Sequence, residues 1–362
     1  MINLMKQERV SKVLMELKNR GISQMVVSDP AAIFYLTEKW IYPGERMLVL
    51  YLNTNGEHKL FINELFPMYE DIGIEKVWFN DDDDSVEILS KHIQDGNVIG
   101  VDKNWPARFL LKLMEFKKES SFVNGSLVLD NVRSCKDKEE KQLMREASAI
   151  NDLAVDQVIK NISKLQSEEN MGQELLGIYK KLGAQGYSFD PIIAYGKNAA
   201  DPHHEPDASM IKEGNSVIID IGCKKNSYCS DMTRTVFYKN VSDRDREVYN
   251  TVLEANKRAI SVIKPGVRFC DIDKAARSYI ESKGYGKYFT HRTGHSIGID
   301  CHEFGDVSAV NTNPVEKGMV FSIEPGIYIS GEVGVRIEDL VLVTEEGCEV
   351  LNKYSKELIV VE

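Results

Sequence analysis

Residues 216–238 read SVIIDIGCKKNSYCSDMTRTVFY. An apolar run, Val217-Ile218-Ile219, leads into Asp220, and a polar turn follows at Lys224-Lys225-Asn226. The chain then returns through Tyr228 to Asp231 and on to Val236-Phe237-Tyr238. This pattern predicts a β-hairpin. With a two-residue turn at Lys225-Asn226, Asp220 falls directly opposite Asp231. Facing side chains of an antiparallel pair stand about 4.5–5.5 Å apart at Cβ. Two carboxylates at that spacing repel by roughly 3 kcal/mol at an effective dielectric of about 20. Strands that are otherwise core-directed do not hold two like charges together without something to reconcile them.

The arrangement recurs downstream. The order helix, helix, histidine-bearing loop, acidic hairpin occurs twice. The first copy has helices expected over 137–163 and 168–183, then His203 and His204, then the hairpin above. The second has helices over 243–263 and 270–283, the first opened by the capping pattern Ser242-x-x-Asp245. His291, His295 and His302 follow, and then a hairpin from Met319 to about Val343. Gly214-x5-Asp220-x-Gly222 corresponds to Gly318-x5-Glu324-x-Gly326 at identical offsets. The second hairpin turns at Gly331-Glu332-Val333-Gly334 and returns through Arg336-Ile337-Glu338-Asp339. Centring that turn on Gly331 sets Glu338 opposite Glu324, with a bulge expected at Pro325-Gly326. The repeat predicts a domain of two pseudo-symmetric halves, with both hairpins in one curved sheet.

Four acids, Asp220, Asp231, Glu324 and Glu338, then line one face. A buried charge is tolerated only when paired or bound to a metal. Arg234 and Arg336 are near in sequence, but two arginines cannot balance four clustered acids. Divalent cations can. Oxygen ligands suit manganese, magnesium or cobalt, and an added imidazole favours transition metals. Two metals about 3.5–4 Å apart, bridged by carboxylates, turn repulsion into a binding site. Five histidines, His203, His204, His291, His295 and His302, lie in the interval bracketing the hairpins. Three of them belong to FTHRTGHSIGIDCHEFG, residues 289–305, whose glycines let backbone approach a ligand closely.

Upstream, the first 125 or so residues alternate short β-rich runs with helical patterns, as a small α/β domain does. Strands are expected at Gln24–Ser28, Met47–Leu52, Lys59–Ile62, Lys76–Phe79 and Val98–Val101, and helices over 5–20, 85–94 and 106–118. MINLMKQERVSKVLMELKNRG at the start reads as an amphipathic helix and not a signal peptide, because charges interrupt any apolar core. The acid run Asp81-Asp82-Asp83-Asp84 reads as a solvated loop feeding a helix N-cap. The expected organisation is a domain over 1–128 and a second over 129–362.

The whole chain has 362 residues, 43% hydrophobic and 28% charged, and a net charge of −11. With a pI near 5.3 it lacks the basic face that nucleic acid or an anionic membrane requires. No apolar stretch approaches the ~20 residues of a membrane span. Six cysteines without CxxC spacing read as reduced thiols of a cytoplasmic protein.

The segments DIG at 220–222, SDMTRT at 230–235, THRTGHSIG at 290–298, EPGIY at 324–328 and RIED at 336–339 resemble the signature motifs of the pita-bread metallopeptidases. More narrowly they resemble the prolidase and Xaa-Pro aminopeptidase (aminopeptidase P) branch. The likeness covers roughly 130–362, and a creatinase-like N-terminal domain, as in that branch, accounts for residues 1–125. It implies an α+β fold: a pita-bread (creatinase/aminopeptidase) catalytic domain of pseudo-two-fold halves behind a smaller α/β domain. It implies two divalent metals per chain, manganese with cobalt or zinc as alternatives. Asp220 would chelate one metal, Asp231 and Glu338 would bridge both, and His295 and Glu324 would complete the second. His203 matches a substrate-contacting histidine, with His204 as its weaker rival. His291 and His302 match the pair that flanks the substrate and stabilises the tetrahedral intermediate, and Arg336 an arginine that orients the bridging carboxylates. Cys301 stands where a branched aliphatic is usual, a change expected to affect packing alone, and TEKW at 37–40 replaces the commoner Thr-Gly-Phe.

The activity implied is hydrolysis of the bond between an N-terminal residue and proline, by a hydroxide shared between the metals, with Glu324 moving its proton. Peptides with proline in second position are the implied partners, and a homodimer the implied assembly. Three other readings fare worse. Metal-independent creatinase-type hydrolysis and a non-catalytic peptide-binding module do not require all five ligand positions to be filled. An iron oxygenase needs two histidines and one carboxylate.

Overall fold

The computed structural model describes residues 5–362, so the first four residues of the segment read as amphipathic lie outside the described ones. The chain divides into two compact units, one ending at Arg133 and one spanning Ser134–Glu362.

In the first unit six strands form one mixed sheet, in the order Glu75–Phe79, Lys59–Asn63, Val49–Asn53, Gln24–Val27, Val98–Val101, Ser121–Asn124. The expected helix at the start covers Gln7–Asn19, that at 85–94 stops at Ser90, and that at 106–118 covers Ala107–Phe116. Asp84 caps the Ser85–Ser90 helix by accepting from the Glu87 N–H, so the acid run does serve an N-cap. Three elements escaped sequence reading: the helices Pro30–Thr37 and Ser126–Ser134 and the edge strand Ser121–Asn124. A signal for the first was present, since Asp29 caps it through the Ala32 N–H and proline opens it. Within TEKW, Trp40 stacks between Phe34 and Tyr42, with ring centroids 4.7 and 5.5 Å away.

The second unit is built twice over. Helices Lys138–Asn161 and Glu168–Lys181 share a core with strands Ile192–Tyr195, Ser216–Ile221 and Met232–Tyr238. Helices Asp243–Ser261 and Phe269–Ser282 share another with strands Val320–Ile323, Gly326–Ile329, Val333–Arg336 and Asp339–Val343. The physics repeats along with the order of elements. Gly214 and Gly318 both have positive φ, +82° and +93°. Fully buried asparagines, Asn151 and Asn256, reach from the first helix of each pair to a carbonyl of an acid-bearing strand: Ile221 at 2.7 Å and Ile323 at 2.9 Å.

The first hairpin corrects the expected register. Its turn lies one residue further on, at Asn226-Ser227, where φ is +46° and +71°. Positive φ at both positions is what a type I′ turn requires. Asp220 therefore faces Thr233 and not Asp231. Because side chains alternate with period two, a pairing offset by two keeps Asp231 on the Asp220 face, diagonal to it. In the second hairpin the centring on Gly331 holds: Ile323 pairs with Asp339 and Gly326 with Arg336, one unbroken register. Glu324 and Glu338 lie opposite each other in the gap between those ladders.

The expected single curved sheet is not formed. The first acid hairpin is split between a four-stranded sheet and, at its turn end, a three-stranded one; the second is split between a five-stranded sheet and a two-stranded ladder. The split falls at Pro325, which has no N–H to give a ladder. Among the contacts that join the halves is a short seam, Glu338 N–H to the Thr233 carbonyl at 3.1 Å and Arg336 N–H to Thr235 Oγ1 at 3.1 Å.

Gly222 is set tightly beside the acid face: a Cβ there would lie 2.2 Å from the Ser230 carbonyl oxygen and 2.1 Å from Ser188 Oγ. Gly331 has positive φ, +75°, with nothing within 4 Å of its Cβ position. Gly331→Ala is expected to cost about 1 kcal/mol, the left-handed penalty alone. Gly222→Ala is expected to cost about 3 kcal/mol or more, since a backbone carbonyl must move. Denaturant unfolding of the two variants checks this; equal losses would refute the tight approach at Gly222.

Candidate metal centre

Asp220 is the last residue but one of the strand Ser216–Ile221, Asp231 immediately precedes its partner Met232–Tyr238, and Glu324 and Glu338 lie in the gap at Pro325. His295 comes from the short strand Gly294–Ser296, held against Ser322 by a hydrogen bond from its own N–H, 3.0 Å. Gly294 makes that approach feasible, because a Cβ there would sit 1.9 Å from the Ser322 carbonyl oxygen. The five side chains converge on the floor of a cavity of about 630 Å³. His203, His204, His291, His302 and Arg336 line the same cavity. The same cavity is lined by apolar side chains, Phe189, Pro191, Ile192, Pro202 and Pro206, with Asp190 and Glu205 between them in sequence. All the residues singled out in the sequence are therefore brought together.

The carboxylates are deeply placed; Asp231 is 4% and Glu338 1% exposed. Among the described residues a single guanidinium meets the cluster. Arg336 Nη2 donates to Asp220 Oδ2 at 2.6 Å. Arg234 touches none of the four carboxylates, pairing instead with Asp339 at 2.8 Å. Arg336 does not contact Asp231 or Glu338 directly either. Its Nε donates to Thr233 Oγ1 at 3.1 Å, and that hydroxyl donates to Glu338 Oε2 at 2.8 Å. Thr233, which faces Asp220 across the hairpin, is thus a residue of the site that sequence reading passed over, although it stands inside SDMTRT.

Three buried carboxylate oxygens have no hydrogen-bond partner: Asp220 Oδ1, Asp231 Oδ1 and Glu338 Oε1. Unpaired buried oxygens of this kind are costly. His295 Nδ1 donates to the Ser296 carbonyl at 3.2 Å, which leaves Nε2 facing Asp231 Oδ2 and Glu324 Oε1, 3.5 Å from each; burial opposes a charge on the ring, but those two carboxylates outweigh it and raise its pKa. An imidazole fixed through its other nitrogen is how a metal-binding histidine is presented. Ligand atoms of Asp231, His295 and Glu338 all lie within 4.8 Å of one another. Orphaned anionic oxygens with an oriented imidazole form a donor set that suits divalent cations.

The protein groups titrate as crowded acids do. Burial pushes Asp220 up to about 7, against Arg336 and with Asp231 and Glu324 adding to the rise. Burial likewise raises Asp231 and Glu338, the latter well above the ordinary carboxylate range, with Asp231 beside it. Glu324 differs: burial opposes its ionisation, but His295, His291 and Arg336 outweigh that and hold it below its ordinary value. Cys301, expected to alter packing alone, instead contacts the cluster, its thiol donating to Asp231 Oδ2 at 3.5 Å.

The histidines are in different states. Tyr328, whose pKa burial pushes up to about 12, accepts from Arg336 Nη1 at 2.8 Å and donates to His291 Nε2 at 2.9 Å. His291 Nδ1 in turn donates to the Arg292 carbonyl at 2.7 Å, so both its nitrogens are engaged. Its pKa is lowered, chiefly by burial. His302 makes no hydrogen bond among the described residues and packs edge-on to His295, 4.2 Å between centroids. Burial, with His295 adding, takes its pKa down to about 4. His204 is bound to Glu168 at 2.7 Å, while His203 is exposed to the cavity.

Residues 142–345 match Metallopeptidase family M24, and residues 9–135 match the Creatinase/Prolidase N-terminal domain. An uncharacterized peptidase of Staphylococcus aureus (strain MRSA252) is 34% identical over 353 residues, covering 96% of this chain and 99% of the relative. The prolidase from Thermococcus sibiricus superimposes with a TM-score of 0.93 at 33% identity, over 98% of each chain. The Xaa-Pro dipeptidase from Bacillus anthracis gives 0.87 at 30% identity, over 98% of this chain and 99% of that one.

Removing the Thr233 hydroxyl isosterically tests the cluster's wiring. Thr233→Val is expected to lower the stability of the metal-free protein by about 1–3 kcal/mol, because Glu338 and Arg336 both lose a partner. Manganese affinity by calorimetric titration should fall about tenfold or more, as when a group supporting a ligand is lost. Thr233→Ser should keep both properties; a serine variant as damaged as the valine one would overturn the assignment.

Proposed function

The chain belongs to metallopeptidase family M24, and from that premise we propose that it hydrolyses the peptide bond between an N-terminal residue and proline. The observation that carries this reading is the set of three partnerless carboxylate oxygens, on Asp220, Asp231 and Glu338, in a cavity also lined by apolar side chains. Two solved relatives, a prolidase and an Xaa-Pro dipeptidase, support the substrate class.

Asp220, Asp231, His295, Glu324 and Glu338 would hold two divalent cations, Asp231 and Glu338 being shared between them. Manganese is proposed, with cobalt or zinc as alternatives, since carboxylates with one imidazole suit all three. Cations bound there supply Lewis acidity and make a bound water acidic near neutral pH.

The chain's own groups do the rest. Glu324, held ionised by its cationic and imidazole neighbours, is the carboxylate able to take a proton at Oε1, where Ser322 Oγ already donates at 3.1 Å. His302 faces the cavity with no competing hydrogen bond and stays neutral, so it can donate to a substrate oxygen at no cost in partners. His291 is tied through Tyr328 to Arg336; its part is to fix one cavity wall, with Nδ1 donating to the Arg292 carbonyl and Nε2 accepting from Tyr328. His203 stands where it can contact a substrate carbonyl, and the prolyl ring fits the apolar side chains of the same cavity. Pre-placed groups of this kind act through position and electrostatics more than through new bonds.

Purified protein with added manganese should release the first residue from an Xaa-Pro dipeptide, an Xaa-Pro-Xaa tripeptide, or both. No release from either would end the reading. Asp231→Ala and Glu338→Ala should each abolish turnover and also cut bound metal, measured by elemental analysis. A variant that retains two metals per chain would refute a shared role for that carboxylate. Tyr328→Phe should lower kcat about tenfold with metal content unchanged, as the loss of one placed hydrogen bond does. Unchanged kcat would remove His291 and its relay from the mechanism.

A further inference from the structure

Behind the His203 wall lies a carboxylate that the proposed chemistry does not use. Glu168 opens the helix Glu168–Lys181, and its side chain is fully buried. Its Oε1 accepts from the Tyr195 N–H at 2.6 Å and Asn198 Nδ2 at 3.0 Å. Its Oε2 accepts from His204 Nε2 at 2.7 Å and the Asp207 N–H at 3.2 Å. The backbone adds Glu168 N–H to the Ser209 carbonyl at 3.2 Å and Glu169 N–H to the Asp207 carbonyl at 3.0 Å. Every one of these partners lies between residues 195 and 209. That segment carries Pro202, His203 and Pro206 onto the cavity wall.

Each carboxylate oxygen already meets at least two donors, so the group is satisfied and its preferred geometry is specified. Ligand atoms of Glu168, His204 and Asp207 also lie within 4.8 Å of one another. Backbone and amide N–H groups point their positive ends at this carboxylate, which is the environment of an anion held by hydrogen bonds and not of a cation.

We propose that Glu168 and His204 are positioning residues: together they lock the 195–209 segment from behind, so that His203 is held facing the cavity. His204 reaches back to the helix while its neighbour reaches forward. Two adjacent histidines thereby do different work, and a slack segment would cost substrate affinity before it cost chemistry.

The kinetic part of the test rests on the peptidase reading; the exchange part does not. Glu168→Gln replaces one acceptor oxygen by an amide nitrogen that cannot accept. In the metal-loaded protein it should raise KM for an Xaa-Pro dipeptide about tenfold, with kcat changed less than about threefold. Glu168→Asp should recover part of the loss. In a double-variant cycle with His203→Ala, the two changes should be non-additive, because both act through the same contact. Backbone amides of residues 201–207 should exchange with solvent deuterium faster in Glu168→Gln, with two metals per chain retained. Additive kinetics, or unchanged exchange, would overturn the proposal. So would a metal lost from the Glu168 variant alone. If Glu168→Gln does not fold, His204→Gln takes its place in the same measurements. If the wild-type protein cleaves no Xaa-Pro bond, the peptidase reading fails, and hydrogen exchange alone decides the positioning role.

Discussion

Mutual repulsion among buried carboxylates is the constraint around which the second unit is built. Asp220, Asp231, Glu324 and Glu338 meet where two similar halves join, with a single guanidinium of the described residues among them. The surrounding structure withholds other neutralisation. Arg234, the other arginine beside the cluster in sequence, is fully committed to Asp339 and to the carbonyls of Tyr354, Ser355 and Glu338. Lys356 is drawn to Asp339 as well. Negative charge is thus left uncompensated in one place and balanced in the place next to it.

Holding such a cluster requires rigidity from behind. Each half supplies a helix asparagine that pins an acid-bearing strand, and glycines at the same offsets in both halves either take positive φ (Gly214, Gly318) or sit where a Cβ would clash, Gly222 with the Ser230 carbonyl and Gly326 with the Tyr328 ring. Duplication explains why the same solution appears twice: a fold that presents one acid hairpin correctly presents a second by the same packing. Among the contacts that join the halves are a few bonds between Thr233–Thr235 and Arg336–Glu338, the segments carrying the support for the acids. Fold and site therefore depend on the same contacts.

Around the floor, hydrogen bonding sorts histidines that look alike in sequence. His295 is fixed through Nδ1 and offers Nε2; His291 is closed at both nitrogens; His302 is open; His204 faces backward and His203 forward. None of these states follows from the residue type. Each is set by what lies across from the ring, a carbonyl, a tyrosine hydroxyl or a carboxylate far away in sequence.

Sequence alone determined the elements that depend on local pattern. Apolar runs ending in acids, a Gly-acid-Gly spacing used twice, and histidines crowded between two hairpins are one-dimensional facts, and together with the motif resemblance they picked out ten residues that line one cavity. Parity along a strand is equally local, which is why Asp231 stayed on the correct face although the turn was placed one residue early. Tertiary structure decided what depends on distance. The exact facing pairs followed from a type I′ turn at Asn226-Ser227, and the broken sheet from Pro325 meeting a partner strand. Thr233, Tyr328 and Glu168 entered the site only because folding carried their oxygen atoms to partners between 8 and 105 residues away. Repulsion between like charges can be read along a chain; the hydrogen bonds that aim those charges exist only once distant segments touch.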